Sequence, residues 1–345
     1  MSRSRRAAKA AAVGSGSVGA AAVAAVGLVY GQTKLARRRI KPIDRPVPDG
    51  SGLWTWRPEM DGEPLRVAVL GDSLAAGYGV DTEAQTPAAL AALGLSRMSH
   101  HPVEMRSVAT VGAESADLVR QVELVLDADD DKNPQLSLIM IGANDVTHRV
   151  RPATAVRQLA AAVRVLREAG SEVVVGTCPD LGTIRPIAQP LRYLARRQSR
   201  NLAAAQTVAV IEAGGRTVSL GDVLGPRFAR ERELFGDDAF HPSAAGYLAA
   251  VETVLPSAAA ALGLPTHTEA ASALLSRRAR PVAKAAAHAV THPGTEVAGA
   301  QLHGRDSGRR GRFARLLRRT EATEPDRADR QPAGQEPKMT AGRTL

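Results

Sequence analysis

The middle of this chain predicts an α/β domain with a mainly parallel sheet covered by helices on both faces. Three observations carry that prediction. Short apolar runs recur, helical stretches separate them, and the runs are continuous rather than alternating. Strands buried on both faces read as continuous apolar runs, because the connecting helices cover both sides of a parallel sheet.

Taken in order, Leu65–Leu70 (LRVAVL) is the first predicted strand and ends at Gly71. A helix follows at Thr86–Leu95, then a strand at Val103–Val108 and a helix at Ser115–Leu126. The third strand, Gln135–Ile141 (QLSLIMI), ends at Gly142. The helix at Ala153–Glu168 is the clearest, with Val156, Leu159, Ala160, Val163 and Leu166 on one face and Arg157, Arg164 and Arg167 outside it. Glu172–Val175 is a fourth strand, Leu191–Val208 a helix, Thr217–Leu220 a weaker fifth strand and Ala244–Leu262 the last helix.

The two ends differ from this core. The chain has 345 residues and a formal net charge of +10. Residues 1–45 carry +9 and residues 266–345 carry +7, which leaves residues 46–265 at −6 and the predicted domain within them mildly acidic. A nucleic-acid-binding domain is expected to carry its positive charge on the folded surface, so no nucleic-acid partner is expected here. From Ala10 to Thr33 no residue is charged, while Arg3, Arg5, Arg6 and Lys9 precede the run and Lys34, Arg37, Arg38 and Arg39 follow it. Such a run is long enough to span a bilayer, although its Ala and Gly content makes insertion marginal. The basic cluster after the run favours a retained membrane anchor over a cleaved signal peptide that would leave the protein secreted, or over a soluble helix. Flanking charge is nearly equal on both sides, so orientation is not specified.

Residues 40–64, punctuated by Pro42, Pro46, Pro48, Gly50 and Gly52, read as a linker that carries Trp54 and Trp56. Residues 65–264 form the predicted domain. Residues 265–345 read as a basic low-complexity tail, expected to be disordered from Thr291 onward. Within it Arg312–Arg319 (RFARLLRR) reads as a solvated charge run, with a short amphipathic turn on a membrane surface as the alternative. The lone Cys178 excludes an intrachain disulfide and reads as a small buried residue at a strand end.

In open parallel sheets, functional groups gather at the carboxyl ends of the strands. After the first strand comes Gly71-Asp72-Ser73-Leu74-Ala75-Ala76-Gly77, a glycine-flanked turn that either exposes a serine hydroxyl or merely caps a helix. After the second comes Val111-Gly112-Ala113, where backbone can approach a ligand. After the third comes Gly142-Ala143-Asn144-Asp145, where Asn144 either aims its amide at the same crevice or shapes the turn. Before the last helix lies Asp238-Ala239-Phe240-His241. A carboxylate three residues before a histidine can hold the imidazole while its other nitrogen takes a serine proton. His100 and His101 have no neighbouring acid, Asp237 is the alternative to Asp238, and His148 is placed to line the mouth and contact substrate. No metal site is expected, since no His/Cys ligand pair has suitable spacing, Gly71–Gly79 lacks the lysine that a phosphate loop needs, and no cofactor is expected.

These blocks in this order resemble the SGNH hydrolases, also called the GDSL esterase/lipase family, over about 200 residues between the two ends. Gly77 fits the same first block, and Val174–Asp180 is similar to actinobacterial members with an N-terminal hydrophobic segment. The resemblance implies a three-layer α/β/α flavodoxin-like fold with a five-stranded parallel sheet. It implies Ser73 as nucleophile, His241 as base and Asp238 as orienting acid, with the oxyanion held by Ser73, Gly112 and Asn144. The implied substrate is an ester, whether a lipid acyl ester, an acetylated sugar or another short acyl ester. An acyltransferase would use the same residues, and an inactive membrane-tethered scaffold is the reading from a different class.

Overall fold

The computed structural model describes residues 23–264 apart from 25, 37, 41–42, 127–131, 185, 222–227 and 229, together with 282–290, 296–297, 301–302 and 305–306. The sheet is built from β1 (Gly52–Trp54), β2 (Leu65–Gly71), β3 (Val103–Ser107), β4 (Leu136–Met140), β5 (Glu172–Gly176), β6 (Arg216–Val218) and β7 (Glu296–Val297). Its order is β1-β3-β2-β4-β5-β6-β7. The five inner strands, β3-β2-β4-β5-β6, are all parallel, while β1 and β7 add antiparallel to the two edges. The parallel core thus has the expected strands, and the sheet is wider than expected.

Both extra strands come from segments read as linker and tail. β1 pairs Gly52, Leu53 and Trp54 with Met105, Glu104 and Val103, and β7 pairs Val297 and Glu296 with Thr217 and Val218. An open parallel sheet leaves a row of unpaired N–H and C=O groups at each edge, and short strands from either end cover them. Disorder from Thr291 onward is therefore corrected at Glu296–Val297, where Val297 is buried. Trp54 packs against the core and donates its indole N–H to the Gly50 carbonyl (3.0 Å), whereas Trp56 lies under the Arg97 guanidinium. Arg312–Arg319 lies outside the described residues, as do residues 1–22, which include the first part of the uncharged run.

Alternation along β2 divides the core into two layers. Val67 and Val69 face α2 (Pro87–Ser99) and α7 (Ala244–Ala261), packing with Ala88, Leu95, Tyr247 and Val251. Ala68 and Leu70 face α3 (Leu118–Val125), α5 (Pro152–Glu168) and α6 (Leu191–Glu212), packing with Leu118, Val122, Leu159 and Val210. This is an α/β/α sandwich of flavodoxin-like order. Among the described residues, α7 is the helix with the length and apolarity to cross a membrane, and its Tyr247, Val251 and Val254 are buried against the sheet. Further helices among the described residues include α1 (Ser73–Ala76), α4 (Ala143–Thr147) and α8 (Val282–Ala289).

Strand order reverses between β2 and β4, because β3 lies on the other side of β2. The crevice beyond the carboxyl ends of these two strands is where such a sheet can accept a ligand. The chain leaves β2 at Gly71 and β4 at Met140, and both exits lead directly into short helices, α1 and α4.

Candidate active site

The exit from β2 is shaped by backbone crowding. Gly71 has φ +136°, and a side-chain carbon there would overlap the Met140 carbonyl. Asp72 then caps α1, accepting the Leu74 N–H at 2.9 Å, and donates its own N–H to the Met140 carbonyl. Ser73 is therefore the first residue of a helix, where its N–H has no intrahelical acceptor. The cap is thus Asp72 and not Ser73, and the serine is presented on the first helical position behind it.

Ser73 Oγ lies 3.0 Å from His241 Nε2, and His241 Nδ1 lies 2.5 Å from Asp238 Oδ2. The other Asp238 oxygen accepts the N–H groups of Phe240 and His241, each at 2.9 Å. Burial alone raises the Asp238 pKa, but these bonds and the neighbouring imidazole outweigh it, and the carboxyl titrates below its usual value. Asp238 is buried. Asp237 is exposed instead and pairs with Arg45, so the structure joins Asp238 and not Asp237 to the imidazole. Tyr78 and Phe240 meet the His241 ring edge-on, each at 4.7 Å between centroids, and fix its plane. Tyr247, buried on α7, donates its hydroxyl to the Tyr78 carbonyl (2.9 Å), which ties the last helix to the serine turn.

Two further turns border the serine. Gly112 has φ +85°, and a Cβ there would meet nothing within 4 Å, so conformation rather than crowding favours glycine. The Ala113 N–H closes that turn on the Thr110 carbonyl, and Thr110 N–H reaches the Gly71 carbonyl, which holds the Gly112 turn beside β2. Asn144 donates from Nδ2 to the Ala113 carbonyl at 3.0 Å, which leaves the second amide hydrogen for another acceptor. Asp145 is buried and accepts both the N–H and the hydroxyl of Ser115. Asn144 and Asp145 together clip the β4 turn to the β3 turn. His148 contacts Glu114 at 2.7 Å, so the residue expected to face substrate is paired across these same two turns.

Three supporting residues were not anticipated. Gln121 accepts the Gly71 N–H (2.7 Å) and donates to the Gly71 carbonyl (2.9 Å), completing the end of β2. Gln206 does the same between β4 and β5, accepting Cys178 N–H (2.7 Å) and donating to the Ile141 carbonyl (3.0 Å). Each sits on the apolar face of its helix, Gln121 beside Leu118, Val122 and Val125, and Gln206 beside Leu202, Ala203 and Val210. A polar residue inside an apolar stripe was the available signal. The third is Asp72, whose burial pushes its carboxyl up to about 6 against the opposing pull of the Leu74 N–H, His241 and the Gly142 and Ala143 N–H groups. Cys178 is buried, as expected of a small residue at a strand end, and burial pushes its thiol well above the ordinary value. Among the described residues no group of three or more His, Cys, Asp or Glu is placed to hold a metal ion.

A serine at a helix start, hydrogen-bonded through an imidazole to a carboxylate, at the carboxyl edge of a flavodoxin-like sheet is an arrangement that can perform nucleophilic hydrolysis. Residues 69–249 match the GDSL-like Lipase/Acylhydrolase family, and the chain belongs to it. It is 40% identical over 246 residues to the GDSL-like esterase Rv1075c of Mycobacterium tuberculosis, covering 68% of this chain and 77% of that protein. It is also similar to the extracellular lipase of Streptomyces rimosus, at 18% identity and TM-score 0.46, over 56% of this chain and 99% of that one. A catalytic mutant of Axe2, an acetylxylan esterase from Geobacillus stearothermophilus, aligns at 16% identity and TM-score 0.45, over 60% and 97% respectively. The chain is an ester hydrolase of the GDSL esterase/lipase type.

Proposed function

We propose that the enzyme cleaves a carboxylic ester through an acyl-enzyme on Ser73. His241 Nε2 takes the Ser73 hydroxyl proton as Oγ attacks the ester carbonyl, and Asp238 holds the Nδ1–H and balances the imidazolium. The negative oxygen of the tetrahedral intermediate is met by the N–H groups of Ser73 and Gly112 and by the free amide hydrogen of Asn144. Collapse expels the alcohol, which leaves with the proton from His241. Water then attacks the acyl-enzyme, again giving its proton to His241, and Ser73 is released with the acid. No metal or cofactor enters these steps. The substrate is a lipid acyl ester, an acetylated sugar or another short acyl ester, and the N-terminal uncharged segment tethers the enzyme to a membrane.

The observation that carries this reading is the unbroken line Ser73–His241–Asp238, with separations of 3.0 and 2.5 Å. Treating the full chain with a fluorophosphonate probe and mapping the modified peptide tests it. Modification at Ser73 in the native protein, lost in Ser73→Ala and His241→Ala, is the expected result. A folded native protein that stays unmodified would sink the acyl-enzyme mechanism and favour an inactive scaffold.

A further inference from the structure

The uncharged run ends at Thr33, and residues 26–36 of it and its basic flank are helical. Among its described residues, Ala36 and Gln32 join this helix to the domain. Ala36 is buried with Leu181, Ile184 and Ile187, and Gln32 exchanges hydrogen bonds with the Gln189 carbonyl and the Leu191 N–H. Its apolar side chains are mostly turned away from the domain, with Val23 and Val26 more than 70% exposed and Leu28 and Tyr30 more than 50%. Just beyond the docking point, the first turn of α6 exposes Tyr193 and Leu194. Exposed cations lie on the same two elements: Lys34, Arg38 and Arg39 on the helix and Arg197 on α6, next to Arg196, which pairs with Asp180.

The place of this surface relative to the site is informative. The apolar cluster that receives Ala36 also includes Ala143, Val146 and Phe240. Ala143 and Val146 belong to the helix that carries Asn144, and Phe240 stacks edge-on against His241. The helix therefore docks on the packing that backs the site. Along the helix, the change from apolar to basic falls between Thr33 and Lys34, within one turn of the docking residues Gln32 and Ala36, about 6 Å of helical rise. An apolar segment followed by lysine and arginine reports the depth of a bilayer interface, because the cationic heads lie among the lipid headgroups.

From this juxtaposition we infer that the face formed by Val23, Val26, Leu28, Tyr30, Arg38 and Arg39 with the start of α6 rests on an anionic bilayer, and that the Ser73 site is held at headgroup level to take an ester embedded in that bilayer. Residues 46–265 carry a net −6, so the cations gathered on this face are the complement to anionic headgroups rather than a general property of the surface. The inference rests on Ser73 being the nucleophile and narrows the substrate to membrane-resident lipid esters.

The test uses the full chain reconstituted into vesicles of phosphatidylcholine, with and without phosphatidylglycerol. Hydrolysis of a long-chain ester embedded in the vesicles is compared with hydrolysis of dissolved p-nitrophenyl acetate. In a double variant, Tyr193→Ser with Leu194→Ser, turnover of the embedded ester is expected to fall about tenfold, with p-nitrophenyl acetate turnover and fluorophosphonate modification within about twofold of native. Arg38→Gln with Arg39→Gln is expected to abolish most of the rate gain given by phosphatidylglycerol. Equal turnover of the embedded ester by native and variant enzymes, or a native rate indifferent to phosphatidylglycerol, would overturn the inference. So would a vesicle-independent dimer that forms through this face. Failure of Ser73 to react with the probe in native protein would instead strike the nucleophile assignment itself.

Discussion

Asn144→Ala isolates one contribution to the barrier. Its Nδ2 already donates one hydrogen to the Ala113 carbonyl at 3.0 Å, which fixes the amide and aims the second hydrogen away from Ala113. Removing one preorganised oxyanion donor raises the barrier by about 2.7–4 kcal/mol, and each ~1.36 kcal/mol is a tenfold change in rate. kcat on p-nitrophenyl acetate should therefore fall by about 10²–10³, with KM little changed, since a donor to the developing charge acts mainly in the transition state. Stability should fall by only about 1–1.5 kcal/mol for the lost bond to Ala113, a shift in Tm of a few degrees. The reasoning is refuted if kcat stays within about threefold of native while Tm falls as predicted, because Asn144 would then be a turn anchor and nothing more. A rise in KM alone would be equally damaging.

Three further outcomes follow from the surrounding packing. Gln121→Leu strands the buried Gly71 N–H, although the Gly71 carbonyl keeps its bond from Thr110, so urea unfolding should show a loss of about 2–3 kcal/mol; a neutral substitution would mean that the end of β2 does not depend on this side chain. The Asp72 carboxyl is raised by burial from 3.8 to about 6, so the folded protein holds this proton more tightly than the unfolded chain does. That contribution is fully present below pH 3.8, is lost as pH rises through about 6, and amounts to about 3 kcal/mol. The stability of native protein relative to Asp72→Asn should accordingly decline between pH 4 and 7, and parallel pH profiles for the two would contradict it. Finally, Cys178 should resist iodoacetamide in the folded enzyme and react after denaturation, as mass spectrometry would show; rapid native alkylation would contradict its burial.

Much of the scaffold was legible because burial on both faces writes itself into sequence as uninterrupted apolar runs. The five parallel strands came within one or two residues of their predicted ends. α6 ran to Glu212 rather than Val208, since Val210 and Ile211 continue its buried face until Gly214 and Gly215 stop it. β6 was placed late: Ser219 and Leu220 are buried and so read as strand, but only Arg216–Val218 pairs with β5. The edge strands were not legible for a different reason. Gly52–Trp54 and Glu296–Val297 have no periodicity of their own, and their strand character comes from β3 and β6 offering unpaired edges.

The site divides along the same line. Ser73, Asp238 and His241 could be read because each sits in a short segment next to a predicted strand end or helix start, and the Asp–His spacing of three is local. His148 shows what such local reasoning leaves out. Its neighbour in sequence is Asn144, which suggests the mouth of the crevice, and its partner Glu114 comes from the adjacent turn, brought there by the pairing of β2 with both β3 and β4. Gln121, Gln206 and Asp145 likewise act across the sheet, so their roles exist only once strand order is known. They have one property in common that sequence does carry: each is a polar group that the fold buries, and a buried polar group has to find its partner. In this domain those partners are the backbone ends of β2 and β4 and the turn after β3. The crevice that presents Ser73 is thus held in shape by the hydrogen bonds of side chains that do not touch the reacting atoms.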